Sequence, residues 1–135
     1  MMIVSACLAG FPCRYDGRSK PCERVMELVR DGKAIPVCPE QMGGLSTPRP
    51  PCEILNGRVV DADGVDRTDS YRRGAEAVLA LVQTYGATRA MLQKRSPSCG
   101  SGWIYDGTFS KKLVRGDGIT ARLLAENGIE VIGIE

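Results

Sequence analysis

Six cysteines and no histidine define the chemistry open to this chain of 135 residues. The thiols stand at Cys7, Cys13, Cys22, Cys38, Cys52 and Cys99. Without imidazole there is no Ser-His-Asp triad, no Cys-His dyad, no histidine-ligated zinc and no histidine acid–base step. Catalysis must rest on Cys, Glu, Asp, Lys, Tyr or Ser. An even cysteine count invites a disulfide framework, but Met1-Met2-Ile3-Val4-Ser5-Ala6 has neither the charged lead nor the long apolar stretch of a secretory signal. The expected setting is cytoplasmic, where thiols are kept reduced. No Cys-x-x-Cys pair occurs, so neither a zinc knuckle nor a thioredoxin-like redox site is indicated. If the thiols act together, the fold must gather them from far apart.

The elements that would gather them follow from apolar runs and breakers. Ile3 to Ala6 is a short apolar run ending in a loop with Gly10, Pro12 and Gly17, the pattern of a buried strand feeding a turn. Pro21 and Glu23 open a helix in which Val25, Leu28 and Val29 recur at helical spacing, and Asp31-Gly32 stops it. Ala34 to Val37 reads as a second strand, ending at Cys38 before Pro39. From there to Cys52, Gly43, Gly44, Pro48, Pro50 and Pro51 predict a long stiff loop without regular structure. Asn56-Gly57 between Ile54-Leu55 and Val59-Val60 predicts a hairpin within Glu53 to Asp66. Thr68 or Asp69 is expected to cap a helix with Ala75, Val78, Leu79, Val82 and Tyr85 on one stripe and Gly86 at its end. Ala90 to Leu92 forms a third strand running into the loop Lys94 to Gly100, and a helix over Ile119 to Glu126 precedes a closing strand over Ile129 to Ile134. Strands alternating with helices predict an α/β fold: a single compact domain over residues 1–135, with a mostly parallel sheet flanked by helices and a small β-hairpin insertion.

In such a sheet, function gathers beyond the carboxyl ends of the strands. Cys7 follows the first strand, Cys38 ends the second, and Cys99 lies in the loop after the third. Three thiols from three strand ends are what a shared site looks like, with Cys13 and Cys52 farther along the first two loops and Cys22 packing as a small hydrophobe on its helix. The plain reading of any one buried cysteine is packing, but three beside Gly- and Pro-rich loops favour a common ligand. Zinc would take a fourth ligand from Cys13 or Cys52. A four-iron, four-sulfur cluster would take three thiolates and leave one iron open as a Lewis acid with an affinity for sulfur.

Four blocks carry a resemblance that spans nearly the whole chain. They are Ser5-Ala6-Cys7-Leu8 with Cys13-Arg14-Tyr15-Asp16-Gly17; Cys38-Pro39-Glu40 with Gly43-Gly44-Leu45 and Pro48-Arg49-Pro50-Pro51; Lys94 with Ser96-Pro97-Ser98-Cys99-Gly100; and Ile104-Tyr105-Asp106-Gly107-Thr108-Phe109. In this order they resemble the signature of the bacterial family called domain of unknown function 523, of thiouracil desulfidase type. The resemblance implies an enzyme that removes sulfur from a small-molecule thiolated nucleobase by hydrolysis without net redox change, using a [4Fe-4S] cluster held by three cysteines. It implies Cys7, Cys38 and Cys99 as the ligands, since positions matching Cys13 and Cys52 are often Val and Ala in the family. It further implies that the substrate's sulfur binds the open iron while water attacks the carbon. Glu40, two residues beyond Cys38, is then the expected general base, with a pKa raised by burial, and Ser98 or Ser96 the expected hydrogen-bond donor to substrate. The plainer roles are a Glu40 ion pair with Arg49 or Lys94, and turn formation by the two serines.

Two other readings compete. Val4-Ser5-Ala6-Cys7 followed by a loop and Arg14 resembles the phosphate loop of low-molecular-weight phosphatases and arsenate reductases, but it encloses one residue too many and places Tyr15 where Ser or Thr belongs. A structural metal-binding module that docks through Thr47-Pro48-Arg49-Pro50-Pro51 is the other. Composition narrows the partners: 18 Lys and Arg against 16 Asp and Glu leave a net charge of +2, so no nucleic-acid surface is indicated. No apolar run approaches the roughly 18 residues of a membrane span.

Overall fold

The computed structural model describes residues 1–135. Its centre is a four-stranded, wholly parallel sheet built from β1 (Met2–Ser5), β2 (Ala34–Val37), β5 (Arg89–Gln93) and β8 (Glu130–Ile134), in the order β2-β1-β5-β8. Helices α1 (Glu23–Arg30), α2 (Pro39–Met42), α3 (Thr68–Tyr85) and α4 (Ile119–Glu126) complete the frame. Two antiparallel hairpins, β3 (Cys52–Leu55) with β4 (Arg58–Asp61) and β6 (Trp103–Tyr105) with β7 (Leu113–Arg115), lie outside the sheet. The α/β expectation and its parallel sheet hold. Pro36 is accommodated because β2 is an edge strand, where a missing N–H leaves no ladder gap.

The period of the strands divides the core in two. Ile3, Ala90 and Leu92 face Val78, Val82, Ala121 and Leu124 of α3 and α4 on one side; Val4 and Met91 face Val25 of α1 on the other. Each fully buried Ile or Leu contributes on the order of 1.5–3 kcal/mol against the cost of ordering the chain. No helix is long and apolar enough to cross a membrane.

Three local expectations need correction. The 39–51 segment is not wholly irregular, because Pro39 sits at the first position of α2, where its fixed φ suits a helix start and its missing N–H costs nothing. Neither Thr68 nor Asp69 caps α3: the cap position is Arg67, and Asp66 Oδ1 accepts the Thr68 N–H at 2.8 Å while the Thr68 hydroxyl accepts the Val59 N–H at 2.9 Å. The buried stripe of α3 runs through Tyr71, Gly74, Ala75, Val78 and Val82, and Tyr85 at its far end is exposed. The β6–β7 hairpin carries no signal in its three-residue strands, one of which is exposed throughout.

Chain order makes a cleft at the sheet's centre. The β1-α1-β2 connection runs outward to one edge and β5-α4-β8 to the other, so strand order reverses between β1 and β5. Loops leaving those two strands part at their carboxyl ends and leave room for a ligand.

Candidate active site

A cavity of about 460 Å³ opens at that switch point. Cys7, Cys13, Cys38, Cys52 and Cys99 all line it; Cys22, at the cap position of α1, does not. Cys7 enters through the 3-10 turn Ala6–Ala9 that follows β1, Cys38 through the step from β2 into α2, and Cys99 through the loop after β5. The Cys13 thiol hydrogen-bonds with those of Cys7 and Cys38, and the Cys38 thiol also points at the Cys13 carbonyl at 3.7 Å.

The loop holding Cys99 is fixed by α4. The N–H groups of Ile119, Thr120 and Ala121 donate to the carbonyls of Pro97 and Ser98, so the helix start is satisfied by the loop and the loop is held by the helix. Any side chain at Gly118 would collide with the Ser98 carbonyl, which is why the approach is so close. Ser98 is fully buried, shares a 2.8 Å hydrogen bond with Thr120 and lies outside the cavity lining. Ser96 is in the lining, and its Oγ accepts the N–H groups of Ser98 and Cys99 at 3.0 and 3.1 Å. The structure therefore separates the two serines, one toward the cavity and one behind it.

Glu40 lies on α2, and its position rests on a glycine pair. Gly43 packs against the Ser70 carbonyl and Gly74 against the Pro39 carbonyl, so closely that a Cβ on either would strike backbone. This contact brings Glu40 over α3, where Tyr71 donates to Oε1 at 2.6 Å, and Arg49 Nε donates to the same oxygen at 3.1 Å. The other carboxylate oxygen takes no protein donor. Arg49 also donates to the Cys13 carbonyl at 2.8 Å and is only 5% exposed. Its pKa would fall with burial, but the charges of Glu40 and Cys38 outweigh that and raise it, so the guanidinium stays cationic. Burial and the Glu40 charge push the Tyr71 hydroxyl far up, which fixes it as a donor. Arg49 is the Glu40 partner anticipated as the plain reading, and Lys94 pairs with Glu135 instead. Tyr71 was the partner sequence reasoning missed, although its spacing to Ala75 and Val78 puts it on their stripe.

The donor set suits a cluster. No three Cys, Asp or Glu side chains converge tightly enough for a single metal ion, while five thiols surround a cavity of cluster size. In the protein alone the thiols are protonated: Cys38 is raised by its hydrogen bond with Cys13 and by burial, and burial pushes Cys99 up to about 12. Thiolates formed on metal binding would face six cations, Arg14, Lys20, Arg49, Lys94, Arg95 and Lys111, against the carboxylates Glu40 and Glu53.

The competing readings find no support. In a phosphate loop the backbone N–H groups point at the anion, whereas here those of Gly10, Phe11, Cys13 and Arg14 donate to carbonyls within their own loop. The Pro48–Pro51 stretch is not presented to a partner, because Arg49 anchors it to Cys13, Glu40 and the Tyr15 carbonyl.

Known proteins with this sequence and fold agree with that donor set. The Bacillus subtilis (strain 168) protein YbbK is 44% identical over 142 residues, covering 98% of this chain and 94% of that one. A solved structure named [4Fe-4S]-dependent thiouracil desulfidase TudS superposes with a TM-score of 0.94 at 46% identity, over 98% of this chain and 89% of the other. The family profile described as 2-thiouracil desulfurase matches residues 2–135, and this chain, with its thiol-lined cavity at the sheet's switch point, belongs to that family.

Proposed function

We propose that this protein is a [4Fe-4S]-dependent thiouracil desulfidase, with the cluster held by Cys7, Cys38 and Cys99. The observation that carries the reading is the meeting of these three strand-end thiols with a clamped carboxylate around one cavity. When bound, the cluster supplies an iron without a protein ligand, a Lewis acid for the substrate's thiocarbonyl sulfur. Glu40 takes the proton of the attacking water at its free oxygen, while Arg49 and Tyr71 hold the other oxygen and aim the carboxylate. Water's oxygen bonds to carbon, the carbon–sulfur bond breaks, and sulfide leaves with its electron pair, so no oxidant or reductant is required. Ser96 accepts two N–H groups at Oγ and retains its own proton to donate to the base, a role that the position of Ser98 behind the cavity does not suit. A reducing cytoplasmic setting fits six free thiols.

Anaerobic purification with an absorption spectrum, iron and sulfide counts and a sulfide-release assay on 2-thiouracil and 4-thiouracil tests this. A brown protein with four irons per chain that releases sulfide is expected. A colourless zinc protein after anaerobic reconstitution would overturn it.

A further inference from the structure

Gln93 is the last residue of β5, at the strand end where the order of the sheet reverses, and it lines the thiol cavity. Its backbone is held on both sides: the N–H donates to Ser5 Oγ at 2.9 Å, and the residue is in register with Ile134 of β8. The side chain is not held in that way. Its Oε1 is buried and accepts no hydrogen bond, the one buried side-chain oxygen or nitrogen in the protein without a partner. Its Nε2 donates only to the neighbouring Lys94 carbonyl, at a long 3.4 Å. An acceptor removed from water and left unpaired is costly, and the great majority of buried polar atoms are satisfied. A carboxamide left open in the wall of a binding cavity is the arrangement that a ligand completes.

Building on the thiouracil reading, we propose that the Gln93 carboxamide recognises the base edge of the substrate. A thiouracil ring carries ring N–H groups, each adjacent to a carbonyl or thiocarbonyl. A carboxamide offers the complement, an acceptor oxygen beside an amide donor, and can pair with such an edge through two hydrogen bonds, as Gln and Asn do with the adenine edge. Oε1 accepts the ring N–H, and Nε2 exchanges its long bond to Lys94 for the neighbouring base oxygen. The strand end is stiff, so the pair sets the ring's orientation as well as its affinity. Sites built around a buried hydrogen bond reject analogues that lack the partner far better than apolar pockets reject a shape. Gln93 is thus the residue that separates nucleobase thiocarbonyls from other thiocarbonyl compounds.

The test pairs a residue change with a substrate change. Holoenzyme of wild type and of Gln93→Leu is assayed for sulfide release from 2-thiouracil and from its N1-methyl and N3-methyl derivatives, with uracil affinity measured by calorimetry and iron content counted. Expected is a fall in kcat/KM and in uracil affinity of roughly 10- to 100-fold in Gln93→Leu, at unchanged iron content. Methylation at the nitrogen facing Gln93 should cost the wild type a similar factor and the variant nothing further. Gln93→Glu keeps the acceptor, loses the donor, and should remain sensitive to methylation; it also covers the case in which the leucine variant does not fold. Equal methylation penalties in wild type and Gln93→Leu, or unchanged uracil affinity, would overturn the proposal. Wild-type holoenzyme that binds uracil through Gln93 but releases no sulfide would instead count against the desulfidase reading alone.

Discussion

Tyr71 donates its hydroxyl to Glu40 Oε1 at 2.6 Å, joining the middle of the protein's longest helix to a single helical turn cut from a proline-rich segment. The bond gives Glu40 a defined orientation in a stretch of chain with little regular structure of its own. Arg49, on the same oxygen, leaves the second oxygen as the one available for a proton. Substituting Glu40→Gln keeps volume but removes proton uptake. The expected outcome is normal cluster assembly with sulfide release per cluster lowered by about 10²- to 10⁴-fold. Near wild-type turnover per cluster would remove Glu40 from the reaction.

The Tyr71→Phe variant separates aiming from proton transfer. With its pKa driven far up by burial and by Glu40, Tyr71 stays protonated through the working pH range and acts as a positioning residue. Loss of its hydroxyl leaves Arg49 to hold Oε1, so a smaller drop, about 10-fold or less, is expected, with the pH profile moved because a donor to the base is gone. A kcat loss as large as that of Glu40→Gln with an unmoved profile would show that Tyr71 does more than orient.

Thiol substitutions divide into two classes. Changing Cys7, Cys38 or Cys99 to Ser should abolish the cluster, because each comes from a different strand end and none can replace another. Changing Cys13 or Cys52 to Ser should leave iron content near the wild-type value. The discriminating variant is Cys13→Ser, since its thiol hydrogen-bonds with those of Cys7 and Cys38 and lies in the same cavity. Loss of iron there, with retention in Cys38→Ser, would reassign the ligand set.

Much of this site was legible because it depends on short apolar runs followed by Gly or Pro: β1, β2 and β5 each end where such a run ends, and Cys7, Cys38 and Cys99 stand just beyond. What could not be read depends on tertiary contact. Helix α2 is four residues long among helix breakers, and only its docking at Gly43 and Gly74 gives it a place. Asp66 rather than Thr68 serves the start of α3 because the Thr68 hydroxyl is claimed by the Val59 N–H of a neighbouring strand, a partner that no local rule names. The separation of Ser96 from Ser98 likewise arises from Thr120, which lies 22 residues farther along the chain than Ser98.

The glycine contact between α2 and α3 yields a stability prediction with a functional consequence. At Gly43 and Gly74 the obstructing atoms are backbone carbonyls, which cannot swing aside as a side-chain end would. Gly43→Ala or Gly74→Ala must push the two helices apart, at a cost of about 1–3 kcal/mol, or roughly 5–10 °C in Tm. The same displacement pulls Glu40 from Tyr71, so sulfide release per cluster should fall with stability. Scanning calorimetry and the turnover assay on one preparation check both, and an alanine at either position that leaves Tm unchanged would show that the helices are not in close contact.

The start of α3 carries the protein's clearest pH dependence. Asp66 has its pKa lowered to about 2, first by Thr68, through its hydroxyl and N–H, and then by the ion pair with Arg58 at 2.8 Å. A carboxylate whose folded pKa lies below its unfolded value of 3.8 stabilises the fold at every pH above the unfolded value, and that contribution fades as pH falls from there toward the folded value. Asp66→Asn removes the charge at all pH values. The variant should unfold at lower urea concentration than wild type at pH 7, and the gap between the two midpoints should close between about pH 4 and pH 2. The Arg58 pair is half exposed, so added salt should narrow the gap at pH 7 only in part, while the hydrogen bonds from Thr68 persist. A midpoint difference that stays constant from pH 7 down to pH 2 would mean that the carboxylate is not held in its charged form by the folded chain.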